Sequence, residues 1–129
     1  MRKKIIRIKK PLKIKGITSA DDLYRLADRL GVHIDNIVSA DQAHSLPERG
    51  SYIILLKGPH SDIGHWCCLH NGHFFDSMGV RPPSSIKAKS FNDVQYQSTY
   101  GDFCGPWCIA FLLSKQKKKD ILNSFYDLD

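Results

Sequence analysis

The sequence predicts an α+β fold on three observations: an amphipathic helical stretch from Ser19 to Gly31, strand-like runs following one another between Ser51 and Ser77, and an almost wholly apolar helical stretch from about Gly105 to Ser114. Strands joined by tight turns pair antiparallel, and helices grouped outside such a run pack on the sheet they form. The expected architecture is a small central mixed or antiparallel sheet on a buried helix beginning at Cys104. It is read as a single domain spanning residues 1–129, with a basic N-terminal arm at about residues 1–15.

In the arm, Ile6-Arg7-Ile8-Lys9 and Leu12-Lys13-Ile14-Lys15 alternate apolar and charged residues on either side of Pro11, the pattern of a charged edge strand or extended arm. Ser19 reads as a helix N-cap with Asp22 at the third position. Leu23, Leu26, Ala27 and Leu30 form one apolar face, and Gly31 ends the helix. Ile34 to Val38 predicts a brief extended segment, and Asp41 to Gly50, with Pro47, a turn-rich connection. Ser51 to Lys57 is continuously apolar and β-branched, as in a strand covered on both faces. A polar loop over 58–64 leads to a second strand, His65 to Leu69. Asn71-Gly72 is the pair favoured in a tight hairpin, and His73 to Ser77 is the returning strand. Residues 84–93 carry no clear pattern, whereas Val94 to Gln97 alternates like a short edge strand. Pro106 fits the first turn of the apolar helix, where its missing N–H is not needed. A last amphipathic helix is expected from about Lys117 to Tyr126.

Composition narrows the function classes. The chain is 42% hydrophobic and 25% charged over 129 residues, which suits one globular core and not a disordered segment. No apolar run approaches the roughly 20 residues of a membrane span, and the two isoleucines after Lys4 are too few for a signal-peptide core, so no membrane partner and no secretion are expected. Without a secretory signal, Cys67, Cys68, Cys104 and Cys108 read as free thiols of an intracellular protein. The net charge of +6 is concentrated at Arg2 to Lys15 and Lys115 to Lys119, a distribution that either keeps the chain soluble or attracts DNA without sequence preference.

Cys104 stands where a helix begins, and the N–H groups and dipole of a helix N-terminus favour a thiolate. It is therefore a candidate nucleophile. Cys108, one turn onward, reads as core. Of the six histidines, His65 follows Gly64 at the mouth of a strand, His70 and His73 flank the hairpin and are expected to be solvated, and His33, His44 and His60 lie in loop-like stretches. Composition alone does not choose the base among them. The hairpin brings Asp76 toward His65, and Gln97, seven residues before Cys104, is a candidate amide donor to an oxyanion. Cys67, Cys68, His70 and His73 are close in sequence, but they span one hairpin whose residues alternate between faces, so a zinc site is not expected.

Taken in order, Gly64-His65-Trp66, Phe75-Asp76-Ser77-Met78-Gly79, Gln97 and Cys104-Gly105 resemble the adenovirus maturation protease and the related proteases specific for ubiquitin-like proteins. Together with Leu26-Ala-Asp-Arg-Leu-Gly31 and Asp41 to Pro47, they are most similar to the short members encoded by virophages and polinton-like viruses. The resemblance spans roughly residues 19–114. It implies an α+β fold in which a central sheet carrying His and acid packs on the helix starting at Cys. It also implies Cys104 as nucleophile, His65 as base, Asp76 as the residue orienting His65 and Gln97 as oxyanion donor, with no cofactor or metal required.

The implied function is that of a cysteine endopeptidase cutting viral capsid or core precursor proteins during maturation, inside the host cell and the virion. Two alternatives stand beside it: removal of ubiquitin or a ubiquitin-like modifier by the same chemistry, and a basic nucleic-acid-binding module in which the thiol is structural. The chain is shorter than these relatives, which leaves activation by DNA or by a peptide open.

Overall fold

The computed structural model describes residues 19–57, 64–96 and 103–118. These residues form α1 (Ala20–Leu30), β1 (Asn36–Ser39), a 3₁₀ helix (Ala40–Ser45), β2 (Ser51–Lys57), β3 (Gly64–His70), β4 (His73–Phe75), β5 (Ser90–Phe91) and α2 (Cys104–Lys117). The fold is α+β. Its five-stranded sheet has the order β1-β2-β3-β4-β5 and is mixed: β1 runs parallel to β2 and β4 parallel to β5, while β2, β3 and β4 are antiparallel to one another. The basic arm over 1–15, the loop with His60, Gln97 and the helix expected to reach Tyr126 fall outside the described residues.

Local chemistry fixes α1. Ser19 Oγ accepts the Asp22 N–H at 3.1 Å and the Asp22 carboxylate accepts the Ser19 N–H at 3.2 Å, so two donors at the helix start are satisfied reciprocally. Leu23 and Ala27, one turn apart, are buried against α2. β3 and β4 turn through Asn71 and Gly72, with φ of 49° and 86°, the two left-handed residues of the mirror-image turn that matches strand twist. That turn sets the register: Cys68 lies opposite Phe75, Leu69 opposite Phe74 and His70 opposite His73.

Both sheet faces are covered, as the unbroken apolar run of β2 predicts. Ile53, Trp66, Cys68 and Phe75 face α1 and α2, whereas Tyr52, Ile54, Cys67, Leu69 and Phe74 alternate to the other side, under Val38, Ala43 of the 3₁₀ helix and Ile86. α2 is buried continuously from Cys104 through Leu113, which explains a sequence with almost no polar face.

Two expectations are corrected. Residues 94–96 are not a strand. The alternation there reflects one anchored side chain, Tyr96, whose ring centroid lies 5.5 Å from that of Phe75 and 5.6 Å from that of Trp107; the fifth strand is instead Ser90–Phe91, in the stretch without a pattern. α2 runs on to Lys117 and ends where Lys118 turns left-handed at φ 56°, and the helix expected from about Lys117 to Tyr126 lies, beyond Lys118, outside the described residues. His70 is half-buried and bonded, not simply solvated at the hairpin tip.

Candidate functional site

The site lies where β3 begins and α2 begins. Gly64 opens β3 in close contact with β2: a Cβ there would lie 2.5 Å from Leu55 Cδ1, so a larger residue before His65 would have to turn the Leu55 side chain aside. β4 pairs with β3 only as far as Cys68, and beyond it the chain leaves the sheet at Asp76. The β3 edge around Trp66 is thereby open to α2. There the Trp66 N–H donates to Cys104 Sγ at 3.3 Å.

Cys104 is the first residue of α2. The N-cap, Phe103, provides no side-chain hydrogen bond, and no acidic residue occupies the first turn. The first-turn N–H groups of Cys104 and Gly105 find no partner within a helix by its geometry, and they put partial positive charge beside the sulfur. Pro106 has no N–H to add, and the ladder starts with the Trp107 N–H on the Phe103 carbonyl at 3.0 Å.

His65 Nε2 is 2.7 Å from Asp76 Oδ1, and the two side chains are 12% and 2% exposed. A carboxylate accepts, so Nε2 carries a proton, which leaves Nδ1 for the hydrogen bond that His65 also makes with Cys104. Burial works against charging the ring, but the hydrogen bonds to Asp76 and Cys104, and the electrostatic pull of the same two groups, outweigh it and raise the His65 pKa to about 9. The direction of the shift favours the protonated ring, the form suited to pair with an anion.

Asp76 is itself held in a short turn. Its Oδ1 also accepts the Met78 N–H at 2.8 Å, and its carbonyl accepts the Gly79 N–H at 2.8 Å. Gly79 has φ 76°, and a Cβ there would stand 3.3 Å from the backbone of Val94 and Gln95, so the turn needs glycine for both conformation and space. Asn92 completes the hold. Its Oδ1 accepts the Asp76 N–H at 2.9 Å, and its Nδ2 donates to the Asp76 carbonyl at 2.7 Å and the Val94 carbonyl at 2.9 Å.

Of the residues singled out from sequence, Cys104, His65 and Asp76 come together, whereas Gln97 lies outside the described residues. The other cysteines are apart from this chemistry. Burial pushes the Cys67 and Cys108 thiols well above the ordinary range, and Cys68 Sγ lies 3.8 Å from the Cys108 carbonyl in the core. The Cys67, Cys68, His70 and His73 group is dispersed. Cys67 donates to the Ile54 carbonyl, His70 bonds Ser51 and His73 bonds Ser90, and among the described residues no three side chains form a metal-binding group. No described helix is long and apolar enough to cross a membrane.

Sequence reasoning missed Asn92 and the Trp66 N–H. The only advance signal for Asn92 was an Asn-Asp pair ending a polar stretch, which marks a turn but names no partner. No family model matches the chain, and neither a curated protein nor a solved structure matches it. The case for a function therefore rests on the residues themselves.

Proposed function

We propose that this chain is a cysteine endopeptidase of the adenovirus-maturation type that cuts viral capsid or core precursor proteins. The observation that carries the reading is the contact set of one thiol, one imidazole and one carboxylate: Cys104 at a helix N-terminus, His65 bonded to it, and Asp76 2.7 Å behind His65. These are the parts that an activated nucleophile needs, in the order of nucleophile, base and orienting acid.

In this mechanism the proton of the Cys104 thiol resides on His65, and the Cys104 sulfur attacks the scissile carbonyl carbon. The carbonyl oxygen becomes an oxyanion, for which the Cys104 backbone N–H and the Gln97 side-chain amide are the donors. The C–N bond breaks as His65 gives its proton to the leaving amine, and a thioester to Cys104 remains. Water then attacks the thioester, His65 takes the water's proton, and the carboxylic acid product leaves with the thiol restored. Asp76 keeps Nε2–H directed away from the sulfur so that Nδ1 is the atom that exchanges the proton.

The test has two stages. At neutral pH, limiting iodoacetamide should alkylate Cys104 ahead of Cys67, Cys68 and Cys108, read by peptide mass spectrometry. Incubation with a capsid precursor, and separately with a ubiquitin-like protein extended at its C-terminus, should give new termini only in the former. Cleavage of the latter alone would keep the chemistry and reassign the substrate. An unreactive Cys104 would remove the enzyme reading.

A further inference from the structure

We infer that Asn92 is a positioning residue for Asp76: its side-chain amide grips the N–H and the carbonyl of Asp76 together and so sets the carboxylate on which His65 rests. The inference rests on the reading of Asp76 as the acid of the site.

β5 pairs with β4 in parallel, His73 with Ser90 and Phe74 with Phe91, and both strands stop there or one residue later. Asn92 is the residue after β5, and Asp76 the residue after β4. Where the backbone ladder ends, the Asn92 side chain replaces it, accepting from the Asp76 N–H at 2.9 Å and donating to the Asp76 carbonyl at 2.7 Å. A primary amide has one acceptor and one donor group side by side, the same pair a neighbouring peptide unit would offer. Of the common side chains only Asn and Gln have this, and Gln is a methylene longer.

The grip bears on the carboxylate because the other bonds to Asp76 itself come from His65 and from its own turn. Its carbonyl takes a second bond from Gly79 and its Oδ1 one from Met78, both within the same turn, so these fix the turn to itself. Asn92 ties that turn to the sheet edge and, through Val94, to the 92–96 segment on which Gly79 packs. Loss of the amide leaves the Tyr96 N–H on the Ser77 carbonyl at 2.7 Å as a bond across to that segment, and the Asp76 end of the turn is freed to pivot about it. A shift of a few tenths of an ångström lengthens the 2.7 Å contact with His65.

A purely structural Asn92 would show in stability alone, so the test reads His65. Among the described residues, the titratable groups that face its ring are Asp76, at the end of β4, and Cys104, at the start of α2. The imidazole is titrated by NMR in the full chain, with its resonance assigned through His65→Gln, for the unaltered protein, Asn92→Ala and Asn92→Ser. Gln116→Ala serves as a control that loosens the fold at the far end of α2.

The His65 midpoint should fall by about one pH unit or more in Asn92→Ala and by a smaller amount in Asn92→Ser, whose hydroxyl reaches one partner at a time, while Gln116→Ala leaves it unmoved. Should Asn92→Ala not fold, Asn92→Ser decides. A midpoint within about 0.3 units of the unaltered value in the folded Asn92 variants overturns the inference, as does an equal shift in Gln116→Ala. The readout is the imidazole and not turnover. An inert Cys104 thus leaves this result standing, and a working peptidase whose His65 ignores Asn92 fails this inference alone.

Discussion

β3 carries two histidines at its opposite ends, and the protein treats them in opposite ways. His65 bonds a buried carboxylate and a thiol, and its pKa rises to about 9. His70 bonds a hydroxyl and an amide: Nδ1 lies 2.8 Å from Ser51 Oγ and Nε2 3.3 Å from Asn71 Nδ2. Burial, then the charges of Lys115 and His73, lower its pKa, with Asp35 opposing them weakly. Asn71 Oδ1 accepts the Gly50 N–H, so its Nδ2 must donate to His70, and a second ring proton would meet that donor head-on. An imidazole with polar neighbours is thus not by itself a chemical site. One bonded to a buried carboxylate and a thiol is raised in pKa, and one faced by donors is lowered.

The largest losses are expected at the thiol end. Cys104→Ala and His65→Ala should each reduce cleavage of a mapped peptide by about 10⁴-fold or more with the melting curve little changed, because neither partner works without the other. Replacing His70 by Gln should leave turnover within about twofold. A His70 variant as dead as the His65 variant would mean that the base had been assigned to the wrong end of β3.

Asp76→Asn sharpens the contrast by making the His65 end resemble the His70 end. The amide keeps the shape but not the charge, so turnover should drop roughly 10²–10³-fold, through a fall in kcat with KM nearly unchanged. The sign of the accompanying pH effect follows from the raised pKa. Charged His65 stabilises the fold fully below its unfolded pKa of about 6.5, and that contribution fades as pH rises through about 9. The stability lost in Asp76→Asn should accordingly be larger at pH 6 than at pH 10, as thermal melts at the two values would show.

How much of this was legible depended on the distance over which each feature is made. α1 was readable because its capping box and apolar face are local. So was the pairing of His65 with Asp76, because Asn71-Gly72 dictates a hairpin whose register carries Asp76 back toward the start of β3. Cys104 announced itself by its place before an apolar run. β5 did not, since two residues have no periodicity and their partner strand is set by packing. Asn92 and Gln116 were illegible for the same reason, as their partners lie 16 and up to 83 residues away. His70 misled because hairpin position predicts exposure, whereas its ring bonds Ser51 and Asn71 and is half-buried.

Gln116 tests the His70 end directly. Its Oε1 accepts the His33 N–H at 2.9 Å, and its Nε2 donates to the His33 carbonyl at 2.7 Å and to Ser51 Oγ at 3.0 Å. The amide joins the last turn of α2 to the start of β2 and to the chain leaving α1. Gln116→Ala should cost about 1–2 kcal/mol in denaturant unfolding, the net value of a few partly exposed hydrogen bonds. The rate of Cys104 alkylation should not change. A Cys104 rate that fell with Gln116→Ala would show that the two ends of α2 are coupled and not independent.

The smallest effect expected is the acid sensitivity of His70. Its pKa is lowered in the fold, so the unfolded chain binds the proton more readily, and the stability that neutral His70 contributes is present above about pH 6.5 and lost as pH falls below it through the folded value. This is opposite in sign to His65, whose contribution survives acidification. The ring is half-buried, and solvent screening keeps the loss under about 1 kcal/mol. In His70→Gln the side-chain amide still reaches toward Ser51 and Asn71 but cannot take up a proton, so the decline in stability between about pH 6.5 and 5 should flatten relative to the unaltered protein. Urea titrations at closely spaced pH values would measure it. An unchanged slope in His70→Gln would transfer the acid sensitivity to another group, and a steeper one would mean that protonated His70 is welcomed at that end of β3, erasing the difference between the two histidines.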